Sequence, residues 1–300
     1  MKSDEVSAGK TQFLKLLRQG IQQKLENSSP YSHSDSGHST SALAINTKEN
    51  YSSSAWRTLT WRDAYSASPI FEQNVANKIL RLKQVQQGEL NGFGTGLTVW
   101  PAACVLLKYL EHRYGRTESN CELKSKYVLE LGSGTGAVGL TAALLGAGHV
   151  VLSDMAIVKP FIVDNVALCK AMHPNLSAEV QTYDWGKSSS DILLSDREGR
   201  ECFPDIILVS DCIIPRLYPI EPLLDVLDDL SGPYTLVLIS YEHRYNEKLD
   251  LKEHFWSLMR SRGFHLRQLR PDEYHPHCCA DDIEIWKLSR SRSISVDLFR

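Results

Sequence analysis

The sequence predicts an α/β fold in which a seven-stranded, mostly parallel β-sheet with an antiparallel edge strand is covered by helices on both faces. Short apolar runs alternate with longer helix-like runs from residue 127 onward, a pattern typical of parallel sheets covered on both faces. A glycine-rich turn at residues 132–136 connects the first of these strands to the first helix. The last two predicted strands have no helix between them, which indicates that one of them is antiparallel at the edge.

The N-terminal part of the chain is predicted to lie outside this domain. Residues 1–54 are expected to form a tail, in which residues 11–27 have the apolar spacing of a short helix. Residues 28–54 are rich in Ser, Asn and Thr and are expected to be disordered. The folded domain is expected to span residues 55–290, followed by a C-terminal tail at residues 291–300.

The elements of the domain follow in order along the chain. A β-hairpin is predicted over residues 70–85, turning at Asn77-Lys78, and then a helix over residues 101–114, with Pro101 suited to its first turn. The predicted strands of the sheet are residues 127–131, 149–153, 178–182, 205–210, 234–240, 264–269 and 283–288. The predicted helices between them are residues 137–145, 161–171, 222–230 and 246–262.

Composition excludes several classes of protein. The formal net charge of the 300 residues is −3, so no broad nucleic-acid surface is expected. No apolar run approaches the length of a membrane span, so no membrane partner is expected either. The seven cysteines are scattered and odd in number, which favours reduced thiols. A monomer in the cytoplasm is expected, with the nucleus as an alternative location.

The segment from Val128 to Gly136, VLELGSGTG, carries the clearest functional signal. Its glycines let a ligand approach the backbone closely, and the N–H groups at the following helix start favour an anionic ligand group. A nucleotide-like cofactor is therefore expected. Gly134, Gly136 and Gly139 also fit the dinucleotide pattern G-x-G-x-x-G, which by itself is a weak signal.

Two acids distinguish between the cofactors that this loop could hold. Glu130 would repel a pyrophosphate, but it suits a cationic group such as the ammonium of S-adenosylmethionine. Asp154 ends the next strand, where an acid can accept hydrogen bonds from ribose hydroxyls. S-adenosylmethionine is therefore the expected cofactor, and a nicotinamide dehydrogenase is the least favoured alternative.

Four segments together resemble the seven-strand methyltransferases and, more narrowly, methyltransferase family 16 of protein-lysine methyltransferases. They are TVWPAA at residues 98–103, VLELGSGTGAVGL at 128–140, SDCI at 210–213 and SYEHR at 240–244. The resemblance covers roughly residues 70–290. It implies a Rossmann-like sheet, S-adenosylmethionine as cofactor and a protein substrate with an accessible lysine, with a chaperone or an AAA ATPase as candidate partners.

The resemblance also implies roles for the matched residues. Trp100 would pack near the cofactor, residues 132–134 would hold its amino-acid moiety and Trp185 would lie beside the adenine, although core packing is the alternative for both tryptophans. The residues expected to bind the cofactor are Trp100, Glu130, Gly132, Ser133, Gly134, Asp154, Trp185 and Ser210.

Asp211 is the expected catalytic residue, because a carboxylate stabilises an ammonium and can orient a lysine before the lysine loses its proton. The alternative is that Asp211 caps a following helix. Glu242 is a second candidate, which could instead pair with Arg244.

The chain departs from the family pattern at one position. Where the family has Asp-x-x-Tyr, this chain has Asp211 and, three positions later, Ile214 in place of the tyrosine. Tyr218 lies further on and could supply the missing ring. A metal site at His275, His277, Cys278 and Cys279 is not expected, because the spacing lacks Cys-x-x-Cys pairs.

Two other functions remain open from the sequence. A small-molecule methyltransferase would share every cofactor residue with a protein methyltransferase. A catalytically weak cofactor-binding module is the other alternative, supported by the missing tyrosine.

Overall fold

The computed structural model describes residues 68–85, 95–115, 122–192, 194–195, 201–214, 220–243 and 251–290. The predicted tails, including the short helix at residues 11–27, lie outside these ranges. So do Tyr218 and Arg244.

The described residues contain a seven-stranded sheet in the order β10-β11-β9-β8-β3-β4-β5, together with two separate hairpins. The hairpins are β1 (Ile70–Val75) with β2 (Lys78–Lys83), and β6 (Leu194–Ser195) with β7 (Glu201–Cys202). The strands of the sheet are β3 (Tyr127–Leu131), β4 (His149–Asp154), β5 (Ala178–Thr182), β8 (Ile206–Ser210), β9 (Leu236–Glu242), β10 (His265–Gln268) and β11 (Ile283–Ser289).

The predicted fold class is confirmed, including the antiparallel part at one edge of the sheet. The strands from β5 through β4, β3 and β8 to β9 pair in parallel. At the other end, β11 runs antiparallel between β9 and the edge strand β10.

Helices cover both faces of the sheet. Those that the structure describes are α1 (Pro101–Tyr114), α2 (Ala137–Leu144), α3 (Lys159–Met172), α4 (Ile220–Leu230) and α5 (Leu251–Ser261). Neighbouring residues of one strand point to opposite faces, so Val128 joins the core with α1, α2 and α3, and Leu129 joins the core with α4 and α5. None of these helices combines the length and apolarity of a membrane span.

The first hairpin turns one residue earlier than the sequence predicts. Ala76 and Asn77 both have positive φ angles, 46° and 64°, as a two-residue type I′ turn requires. Val75 pairs with Lys78, so Lys78 already belongs to β2. The predicted turn at Asn77-Lys78 is wrong by one position, because Ala76 occupies a conformation that propensity does not favour for alanine.

The order in which strands are added to the sheet changes direction at β3, which makes this a topological switch point. From β3 the chain continues through α2 to β4 on one side, whereas β8, on the other side of β3, is followed by α4 on the opposite face. A crevice at the carboxyl ends of β3 and β8 results, and such switch points are where open α/β sheets bind ligands.

Candidate active site

A cavity with about 480 Å³ of space, part of it open to solvent, lies at this crevice. Its floor is the glycine-rich loop after β3, and one wall is the segment after β8. The cavity brings together most of the residues predicted from the sequence, namely Trp100, Glu130, Gly132, Ser133, Gly134, Ser210 and Asp211.

The glycine-rich loop has a conformation that requires glycine. Gly132, Gly134 and Gly136 have φ angles of 64°, 55° and 81°, in the left-handed region that other residues rarely adopt. A Cβ atom on Gly134 would lie 2.4 Å from the carbonyl oxygen of Gly96. The loop therefore packs backbone to backbone against the residues that lead into α1.

Asp154 lies beside the cavity and holds the loop in place. Its carboxylate accepts hydrogen bonds from the N–H groups of Gly134 at 2.8 Å and Met155 at 2.7 Å. Burial raises the pKa of this carboxyl above its ordinary range. A carboxylate offers about four acceptor positions, so these two bonds leave capacity for ribose hydroxyls, the role predicted from the sequence.

Glu130 lies beneath the loop and is almost fully buried, with 2% of its surface exposed. Its Oε2 atom accepts the N–H of Gly139 in the first turn of α2 at 3.0 Å. A Cβ atom on Gly139 would lie 2.7 Å from the same oxygen, so this glycine serves close packing. Burial raises the pKa of Glu130 to about 8, which means that the carboxyl holds its proton unless a partner stabilises the ionised form.

The two predicted tryptophans border the loop from different sides. Trp100 precedes the first residue of α1 and lines the cavity. Trp185 lies outside the lining, but a Cβ atom on Gly132 would be 3.1 Å from its ring. Both side chains are half-buried, so each has surface available to a ligand.

Asp211 directly follows β8 and is buried, with a φ angle of +55° that is uncommon outside glycine. Its N–H donates to the carbonyl of Ser240 at 2.9 Å, and its Oδ1 atom accepts the N–H of Glu242 at 3.4 Å. Aspartate is among the few residues other than glycine that adopt this conformation readily. Ile220 is the first described residue of α4.

Ile214, three residues after Asp211, contributes an aliphatic side chain to the same wall of the cavity. The second candidate acid, Glu242, is buried at the end of β9. Its predicted pairing with Arg244 involves a residue outside the described ranges. Ser210 is joined to β9 by a hydrogen bond of 3.3 Å between its hydroxyl and that of Ser240.

Sequence reasoning missed several residues that shape the cavity. Cys212 lines it, and burial raises the pKa of its thiol well above the ordinary value. Gly96 lines it as well, and its place in the glycine run at residues 92–96 was the one signal that could have identified it.

Of the histidines and cysteines near residue 275, Cys278 is buried, whereas His277 and Cys279 are exposed. His275 contacts His112 and His277 edge to face, and the thiol of Cys278 donates to the carbonyl of Cys104 in α1 at 3.7 Å. Across the described ranges, no group of three or more His, Cys, Asp or Glu side chains is placed to hold a metal ion.

Comparison with known proteins identifies the family. The family model described as lysine methyltransferase matches residues 74–261. The chain is 30% identical over 227 residues to protein N-lysine methyltransferase METTL21A of Danio rerio, covering 74% of this chain and 88% of that protein. It is 31% identical over 184 residues to EEF1A lysine methyltransferase 3 of Mus musculus, covering 60% of this chain and 68% of that protein.

These matches confirm the predicted activity, which is methyl transfer from S-adenosylmethionine to a lysine side chain of a protein. They set aside a small-molecule methyltransferase and a nicotinamide dehydrogenase as the principal function. The chain belongs to the lysine methyltransferase family.

Proposed function

We propose that S-adenosylmethionine binds over the glycine-rich loop and that Asp211 receives the target lysine from the other wall of the same cavity. The observation that carries this proposal is that one cavity is lined both by the loop with Glu130 and by Asp211. Cofactor and lysine would thus meet at the carboxyl ends of two adjacent parallel strands, β3 and β8.

The residues of the loop fit this cofactor. Gly132 and Gly134 give the loop the left-handed turns that place its backbone along the cavity. The buried Glu130 is a suitable partner for an ammonium group. Bound there, the cofactor supplies an electrophilic methyl group on its sulfonium. No metal ion is needed for that chemistry.

Asp211 and Ile214 would act on the lysine in opposite ways. A lysine with its ordinary pKa of about 10.4 costs roughly 4.6 kcal/mol to deprotonate at pH 7. The carboxylate of Asp211 stabilises the ammonium, so its role is to recruit and orient the side chain. The aliphatic Ile214 excludes water from the amine, and loss of solvent favours the neutral form that attacks.

A protein with an accessible lysine is the substrate class, and we propose a chaperone or an AAA ATPase as the specific target. One of the relatives is named for EEF1A, which makes that protein an additional candidate. We further propose that the protein is a monomer. We place it in the cytoplasm, with the nucleus as the alternative location, because the six cysteines in the described ranges are free thiols.

Mass spectrometry of a cell lysate incubated with the protein and deuterated S-adenosylmethionine tests the proposed substrate. We expect labelled methyl groups on a lysine of one or a few proteins, and no such label in lysate without the protein. Label confined to the small-molecule fraction would retain the cofactor but contradict the substrate. Label on a histidine would contradict the lysine acceptor.

Asp154→Ala is expected to weaken S-adenosylmethionine binding by roughly 1.5–3 kcal/mol, the range for hydrogen bonds to a charged group. The loss has two sources, because the carboxylate is proposed to bind the ribose and also holds Gly134. Isothermal titration calorimetry measures the change. Asp225→Ala is a matched control, because Asp225 is an exposed acid on α4 paired with Arg262. Equal affinity in both variants would contradict the role of Asp154.

A further inference from the structure

Asn165 lies in the middle of α3 and is fully buried, with none of its surface exposed. Its Oδ1 atom accepts the N–H of Lys83 at 2.8 Å, and its Nδ2 atom donates to the carbonyls of Lys83 at 3.1 Å and Thr135 at 3.0 Å. A buried amide is tolerated only when its polar atoms are bonded. Asn165 satisfies this condition entirely through backbone groups outside its own helix.

These bonds connect two parts of the molecule that are far apart in sequence. Lys83 is the last residue of β2, and Thr135 lies within the glycine-rich loop and lines the cavity. Through its two bonds to Lys83, the Asn165 amide pairs with the backbone of β2 as a neighbouring strand would. The same amide then fixes the carbonyl of Thr135.

The hairpin also holds residues 97–99, of which Thr98 and Val99 line the cavity. The side chain of Gln84, just after β2, accepts the N–H of Val99 at 3.0 Å. Val85 donates its N–H to the carbonyl of Leu97 at 2.8 Å and accepts the hydroxyl of Thr98 at 2.7 Å. Residues 97–99, which directly precede Trp100, are therefore held by hydrogen bonds to the end of the hairpin.

We propose that Asn165 is a positioning residue for cofactor binding, which ties the hairpin to the glycine-rich loop and so sets the position of residues 97–99 relative to that loop. The inference rests on the proposed cofactor site. It goes beyond that proposal by making the hairpin, which itself contributes no lining residue up to Lys83, a part of the cofactor-binding apparatus.

Asn165→Asp is the test substitution, because aspartate has nearly the same shape and keeps the acceptor for Lys83 N–H. It replaces the amide nitrogen, which donates to two carbonyls, by an oxygen. We expect the Kd for S-adenosylmethionine, measured by calorimetry, to rise at least about tenfold, within the range of coupling between linked sites. Labelling of lysate protein should fall at low cofactor and recover to the wild-type rate at saturating cofactor.

Thr235→Val is the matched control for loss of stability alone. Thr235 is buried at the amino end of β9, where its hydroxyl donates to Pro204 and accepts from Gly232. This variant should lower Tm without changing the Kd for S-adenosylmethionine. An Asn165→Asp protein that loses thermal stability but keeps the wild-type Kd would overturn the inference.

A second variant decides the matter if Asn165→Asp does not fold. Gln84→Met removes the link between the hairpin and Val99 while keeping the length of the side chain. A raised Kd for S-adenosylmethionine in this variant supports the hairpin's role, and an unchanged Kd overturns it. If the wild-type protein itself binds no S-adenosylmethionine, the proposed cofactor site fails and this inference fails with it.

Discussion

Asp211→Asn is expected to lower turnover by roughly 10–1000-fold, comparable to the loss of a positioned polar group in an active site. Asparagine tolerates the positive φ angle at this position, and its amide oxygen can still accept the N–H of Glu242. The substitution therefore removes the negative charge offered to the lysine ammonium while the backbone is preserved. Cofactor affinity should stay near the wild-type value.

The rate of labelling at saturating S-adenosylmethionine measures this effect, and calorimetry checks the cofactor. Glu242→Gln is the companion variant, because it neutralises the second buried acid at the same edge of the sheet. Wild-type turnover in Asp211→Asn would mean that the carboxylate is structural. A loss confined to Glu242→Gln would transfer the role to that residue.

Glu130→Gln is expected to weaken S-adenosylmethionine binding by about 10–100-fold, because a hydrogen bond to a charged group contributes about 1.5–3 kcal/mol. Glutamine can still accept the N–H of Gly139, so the loop should keep its conformation. In the wild-type protein the pKa of Glu130 is about 8, and a cationic ligand group favours its ionised form. Affinity should therefore rise between pH 6 and pH 7.5 in the wild type and change much less in the variant.

The same carboxyl predicts how stability depends on pH. In the unfolded chain Glu130 ionises near pH 4.3, whereas the folded protein keeps the proton until about pH 8. The stability contributed by the protonated form is complete below the unfolded pKa and is lost as pH rises toward 8. Urea unfolding should thus show a Glu130→Gln protein that is more stable than the wild type near pH 8. Parallel stability curves for the two proteins would contradict the raised pKa.

The sequence predicted the sheet well where burial alone determines the pattern. All five residues of β3 are buried, so its apolar run could be read with the correct bounds. The bounds of α1 were also predicted correctly, because Pro101 marks its first turn. Several residues that line the cavity were recognisable because Glu130 and the glycines lie close together in the chain between Val128 and Gly136.

Contacts between distant segments could not be predicted in this way. Asn165 bonds to residues 82 and 30 positions away, and nothing in its own helix distinguishes it from a surface asparagine. The short pairing of β6 with β7 was not predicted, because two-residue strands have no recognisable period. The turn of the first hairpin depends on the φ angle of Ala76, which tertiary packing enforces against local preference.

The contact between Gly96 and Gly134 has a consequence for engineering the protein. Of these two glycines, only Gly134 cannot be replaced by a residue with a side chain. A side chain at position 134 would collide with a carbonyl, but a Cβ atom on Gly96 would meet its nearest neighbour at 3.5 Å, an ordinary contact distance. Variant libraries designed to accept analogues of the cofactor can therefore vary position 96, which lines the cavity. Position 134 should remain glycine.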